Sequence, residues 1–80
     1  MEHLKMIGRN IRALRELRSM TQLELAKKAK MHRAYIGFVE RGEKNMSVET
    51  LFTIAEALRV APYLLLYPEM KDWIYGDTKR

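Results

Sequence analysis

Residues 21–47 read TQLELAKKAKMHRAYIGFVERGEKNMS, a stretch that predicts two short helices, a tight connection and a basic loop. Thr21 and Glu24 stand at capping-box spacing, where each side chain satisfies a backbone donor at a helix start, and Met20 and Leu25 fit the flanking hydrophobic staple. A helix therefore begins near Gln22 and runs to about Ala29. Its connection to the next helix is two or three residues around Lys30 and Met31, which suits a sharp helix-turn-helix corner. The following helix covers roughly His32 to Arg41 and stops at Gly42. Such a unit can place one helix in a DNA groove.

At 100° per residue, Arg33, Ala34, Gly37, Phe38 and Arg41 fall within one arc of this helix, and Tyr35, Ile36, Val39 and Glu40 lie on the remaining side. The outward arc carries arginine at both ends, small residues and one aromatic. Guanidinium groups suit guanine edges or phosphates, and apolar atoms suit thymine methyls. Phe38 can also be read as a core residue under another element. Gly37 costs a helix about 1 kcal/mol relative to alanine, and two reasons would justify it: close approach of backbone to a duplex, or close packing of helices.

Working outward, the segment from about Leu4 to Leu17 predicts a first helix, with Ile7, Ile11, Leu14 and Leu17 at helical spacing and Arg9, Arg12 and Arg15 off that stripe. Ser47 caps a fourth helix from about Val48 to Leu58, whose broad apolar side of Val48, Leu51, Phe52, Ile54, Ala55 and Leu58 is read as core. Pro62 suits the first position of a fifth helix that Pro68 closes, with room for a short sixth helix up to Gly76. The fold expectation is all-α: a compact five-helix domain, extended by that sixth element.

Eighty residues suit a single domain over 1–80, since a chain this short buries only about 60% of the surface that its unfolded form exposes. No cysteine is present, so no disulfide staples the fold, and no cysteine-histidine cluster can hold zinc. His32 with His3 as the only other histidine reads as a cap or surface residue rather than a metal ligand. No apolar run is long enough for a signal sequence or a membrane span, and the expectation is a soluble, cytoplasmic, nucleoid-associated protein. Residues 1–45 hold eleven Lys/Arg and five Glu, a balance of +6, whereas residues 46–80 hold four and five, a balance of −1. The first half faces a polyanion, or else simply keeps the surface solvated.

Between residues 63 and 75, nine of thirteen positions are large apolar or amphipathic side chains. Either they form a lid on the monomer core or they form a two-fold interface, and the second reading is favoured because exposed patches of this kind mark association. The expected dimer surface lies in 61–76, through Tyr63, Leu64, Leu66, Tyr67 and Trp73. An enzyme is not expected, as no nucleophile-base pair, metal cluster or glycine-rich phosphate loop appears. No cofactor is expected.

The set Gln22, Glu24, Ala26, Ile36, Glu40, Arg41, Gly42 and Asn45 to Ser47 resembles the Xre/Cro-type, lambda-repressor-like helix-turn-helix family over about residues 5–67. Within it, the segment RAYIGFVERGEKNMS and the near absence of any extra domain look most like the controller proteins of restriction-modification systems. The resemblance implies that Gln22 anchors the phosphate backbone with its helix N-terminus, that Arg33 and Ala34 read base edges, and that Tyr35 holds a phosphate. It implies that Arg41, Lys44 and Asn45 track the backbone, and that Arg15 and Glu40 form a structural ion pair. The implied partners are a pseudo-palindromic duplex operator, a second copy of the chain and, for activation, RNA polymerase. An antitoxin or a helical adaptor using the same fold is the alternative.

The chain departs from the family pattern at four places. Lys30 stands where glycine or asparagine is frequent in the turn, and a left-handed lysine there would be strained. His32 replaces the usual hydroxyl or carboxylate cap. Ala34 replaces a hydroxyl, and Phe38 a small residue, which implies a different base preference.

Overall fold

The computed structural model describes residues 2–67. Helix α1 spans Glu2–Leu17, α2 Gln22–Ala29, α3 Arg33–Glu40 and α4 Val48–Leu58, and a 3-10 turn covers Pro62–Leu66. No strand occurs among the described residues. α2 packs on α3 and α4, and α1 packs on α3, α4 and the 3-10 turn. The capping box predicted at Thr21 is present in both directions: the Glu24 amide donates to Thr21 Oγ1 at 3.1 Å, and the Thr21 amide donates to Glu24 Oε1 at 2.8 Å. Ser47 caps α4 through the Thr50 amide at 3.0 Å.

The core takes Ile7, Ile11 and Leu14 from α1, Leu25 and Ala26 from α2, and Ile36 and Val39 from α3. It is completed by Leu51, Ile54, Ala55 and Leu58 from α4 and by Leu65. Each fully buried Leu or Ile contributes roughly 1.5–3 kcal/mol. Two residues expected in this core are outside it: Val48 is 70% exposed and Phe52 55% exposed. Val48 sits in the first turn of α4, and Phe52 stands 100° around the axis from Leu51, off the stripe of Leu51, Ile54, Ala55 and Leu58. Leu17, placed on the apolar stripe of α1, is also exposed, at the helix end.

The fifth element is a 3-10 turn and not an α-helix, which corrects the five-helix expectation. The Leu64 amide bonds to the Ala61 carbonyl and the Tyr67 amide to the Leu64 carbonyl, the i to i+3 pattern of the tighter helix. Asn10 explains how it ends. Buried in α1, it donates from Nδ2 to the carbonyls of Leu65 at 2.8 Å and Tyr67 at 2.9 Å, fixing both acceptors on α1. The expected sixth helix, the closing role of Pro68, and Trp73 lie outside the described residues.

All four helices end alike. At Ser19, Lys30, Gly42 and Arg59 the backbone turns left-handed, with φ of 58°, 58°, 72° and 63°. At each, the next amide reaches back to the carbonyl five residues earlier: Met20 to Arg15, Met31 to Ala26, Glu43 to Phe38 and Val60 to Ala55. These are Schellman endings, for which glycine is the ordinary residue, and only one of the four has it. The left-handed Lys30 foreseen as strained is therefore present, and Met31 packs against the core immediately after it.

Gly8 sets the fit of α1 on α3. A Cβ there would stand 2.5 Å from the carbonyl oxygens of both Val39 and Glu40, so only glycine lets α1 lie directly against the end of α3.

Candidate nucleic-acid interface

Helix α3 is fixed from below by apolar contacts and an ion pair. Ile36 and Val39 are buried, and beside them Glu40 meets Arg15 of α1 through two bonds, Nε to Oε2 at 2.6 Å and Nη2 to Oε1 at 3.0 Å. The hydrogen bond to Glu40 raises the Arg15 pKa above its ordinary value, against the lowering effect of burial. Arg15 Nη1 also donates to the carbonyl of Met20 at 2.9 Å, holding the α1–α2 turn.

The same carboxylate reaches the surface through Gln22. Gln22 Nε2 donates to Glu40 Oε1 at 3.0 Å, which leaves Gln22 Oε1 to accept from Arg33 Nη1 at 3.2 Å. Since Glu40 can only accept, the amide orientation follows from chemistry. Gln22, expected as a phosphate anchor, is thus also the link between the buried ion pair and the first residue of α3.

Arg33, Ala34, Phe38 and Arg41 are exposed together along α3, as the 100° projection expects. Gly37 is not: it is buried beneath Arg41 and Gln22, whose Nη1 and Oε1 stand 3.3 and 3.7 Å from where its Cβ would be. Its lack of a side chain makes room for those two polar groups, which corrects its placement on the open surface. Phe38 is partly exposed, so the core reading of that ring does not hold. Tyr35 is half-buried against the core, with its hydroxyl 3.5 Å from the Asn45 carbonyl. Lys44 and Asn45 are exposed in the loop that follows. Arg41 Nε pairs with Glu43 Oε1 at 3.1 Å, a contact the sequence reading did not anticipate. His32 starts α3 without a side-chain cap bond.

Three further residues were missed. Gly8 and Asn10 each had a signal: a glycine inside a good helix marks close packing, and Asn10 shares the buried stripe of Ile7, Ile11 and Leu14 by spacing. Glu43 had none. Among the described residues, no group of three metal-ligating side chains exists, and no helix is long and apolar enough to cross a membrane. The expected interface residues Tyr63, Leu66 and Tyr67 are exposed, whereas Leu64 is half-buried and packs against the core.

A rigid, short helix with an exposed cationic face, joined by a tight corner to a second helix, is an arrangement other proteins share. The model of the helix-turn-helix family matches residues 11–65. The control protein C.SmaI of Serratia marcescens is 36% identical over 73 residues, spanning 90% of this chain and 87% of that protein. The crystal structure of the restriction-modification controller protein C.AhdI from Aeromonas hydrophila superposes with a TM-score of 0.79 at 33% identity, covering 84% of this chain and all of that one. The controller protein C.Esp1396I, solved as a tetramer with its natural 35 base-pair operator, superposes with a TM-score of 0.76 at 25% identity, covering 96% and 95%.

Proposed function

Because this chain belongs to the helix-turn-helix family of transcription regulators, we propose that it is a sequence-specific duplex-DNA-binding regulator that controls its own gene and those of a restriction-modification system. The carrying observation is the exposed row Arg33, Ala34, Phe38 and Arg41 on a helix locked to the core by the Arg15–Glu40–Gln22 chain. Arg33 reads base edges, with Ala34 small enough to admit a thymine methyl beside it. Arg41, Lys44, Asn45, Tyr35 and the start of α2 at Gln22 meet the phosphate backbone and fix register. The action is binding without catalysis, in the cytoplasm on the nucleoid, and activation adds a contact with RNA polymerase.

The protein acts as a homodimer. α4 and the 3-10 turn pack against each other and expose Val48, Phe52, Tyr63 and Leu66, and association removes such apolar surface from water. Of this surface within the single domain, Tyr63 and Leu66 lie in the segment 61–76 and Val48 and Phe52 on α4. Two copies place two α3 helices on half-sites about 34–36 Å apart on a pseudo-palindromic operator. The likeness to controller proteins, one of them assembled on its operator, supports this reading.

Selection of bound sites from a random duplex pool, followed by gel-shift titration at low and high salt, tests it. The expected result is a two-fold-symmetric site bound more tightly than random duplex, with steep salt dependence. Absence of any sequence-selective complex would favour an adaptor or antitoxin role for the same exposed apolar face.

A further inference from the structure

Phe38 is the single aromatic on the outward row of α3, and two cations lie over its ring. The guanidinium carbon of Arg41 is 5.1 Å from the ring centroid, and Nζ of Lys44 is 5.6 Å from it. Both are inside the roughly 6 Å reach of a cation–π contact. The backbone arranges this meeting. Gly42 turns left-handed at φ 72°, and the Glu43 amide bonds back to the Phe38 carbonyl at 2.9 Å, folding the loop over the last turn of α3. Lys44 is thereby returned to a ring six positions before it.

Like charges repel unless something holds them, and the negative face of an aromatic ring draws both Arg41 and Lys44 toward Phe38. Glu43 neutralises part of the cluster through Arg41 Nε at 3.1 Å, but both side chains of that pair are about half exposed, so a phosphate oxygen can replace the carboxylate at little cost. A base-reading role would require the ring to face the groove floor. Here its π-system is engaged by the cations that would meet the backbone.

Resting on the reading of α3 as a duplex-binding helix, we propose that Phe38 is a positioning residue for a two-cation phosphate grip made by Arg41 and Lys44, and not a reader of bases. Alanine or leucine at this position leaves the cations in place in the sequence but no longer gathered over one ring.

Fluorescence anisotropy of the full chain and of its Phe38→Leu and Phe38→Tyr variants tests this, using a labelled duplex carrying the selected site and a labelled random-sequence duplex. Phe38→Leu is expected to weaken both duplexes by the same factor, about 5- to 10-fold, and to lower the slope of log affinity against log salt by about one unit, with the selected bases unchanged. Phe38→Tyr keeps the ring and restores affinity and slope. In the free protein, the Lys44 side-chain protons lose their ring-current shift in Phe38→Leu only. A changed base preference at unchanged salt slope would make Phe38 a base reader and overturn the proposal. Unchanged affinity and slope would overturn it as well. Failure of the unsubstituted protein to bind either duplex would instead sink the DNA-binding reading and this one with it, a result distinct from a Leu variant that binds as well as its parent.

Discussion

Arg15 and Glu40 face each other as a fork, with Nε and Nη2 of one on the two carboxylate oxygens of the other, at side-chain exposures of only 11% and 3%. This pair joins α1 to the end of α3, and through Gln22 it also sets the first residue of the exposed helix. One buried contact therefore serves both stability and the placement of Arg33.

Removing one member of a buried pair leaves an uncompensated charge. Glu40→Leu and Arg15→Met are each expected to destabilise the fold by about 3–5 kcal/mol in urea unfolding, whereas the double replacement Arg15→Met with Glu40→Leu should lose less than the sum. The pH dependence has a definite sign. Arg15 is raised by its bond to Glu40, so its contribution is complete below the unfolded arginine pKa and is lost only as pH rises through the still higher folded value. Between about pH 5 and 10 the Arg15 proton should therefore add no slope to stability.

Arg33 and Lys44 separate specificity from affinity. Arg33→Ala is expected to cost about 1–3 kcal/mol on the selected site and relax its sequence preference, and Lys44→Ala to weaken all duplexes alike and flatten the salt slope by about one unit. Competition binding at several salt concentrations reads both. Equal losses on specific and random duplex for Arg33→Ala would contradict its assigned role.

Asn10 holds the two carbonyls that end the 3-10 turn. Asn10→Leu fits an apolar stripe but strands the buried Leu65 carbonyl, and a destabilisation of roughly 1–3 kcal/mol is expected from one unsatisfied buried group. Because the turn carries Tyr63 and Leu66, the same variant should also weaken self-association, measurable by sedimentation after correcting for the unfolded fraction. An unaltered melting curve would show that water satisfies those carbonyls as well as Asn10 does.

Lys30 occupies a left-handed position with its side chain exposed. Replacing it with glycine removes a strain of about 1 kcal/mol at a side chain that forms no hydrogen bond or ion pair among the described residues, so Lys30→Gly should raise stability by about 0.5–1 kcal/mol despite the greater freedom of the unfolded chain. A lower denaturation midpoint would show that lysine contributes something here beyond its backbone.

Self-association is expected near micromolar concentration, with a sedimenting mass about twice that of the monomer. Tyr63, 69% exposed, is the place to disrupt it: Tyr63→Glu puts a charge into an apolar contact and should give the monomer without loss of helix content, since among the described residues the ring stands outside the core. A parent protein that stays monomeric at that concentration removes the interface claim.

Elements whose signals are local are legible in the residues alone. The starts of α2 and α4 follow from Thr21 and Ser47, because a cap is a bond between residues three apart, and the helical spacing of Ile7, Ile11, Leu14, Ile36 and Val39 marks faces without knowledge of what covers them. The Arg15–Glu40 pair came from family resemblance, since 25 residues separate its members. Tertiary structure alone decided which apolar residues leave the core, as at Val48 and Phe52, why Gly8 must be glycine, and what Asn10 holds. It alone ran Glu40 through Gln22 to Arg33. Those outcomes depend on what lies opposite each side chain. Helix periodicity specifies the direction in which a residue points, and only the packing of one element on another supplies the atom it meets.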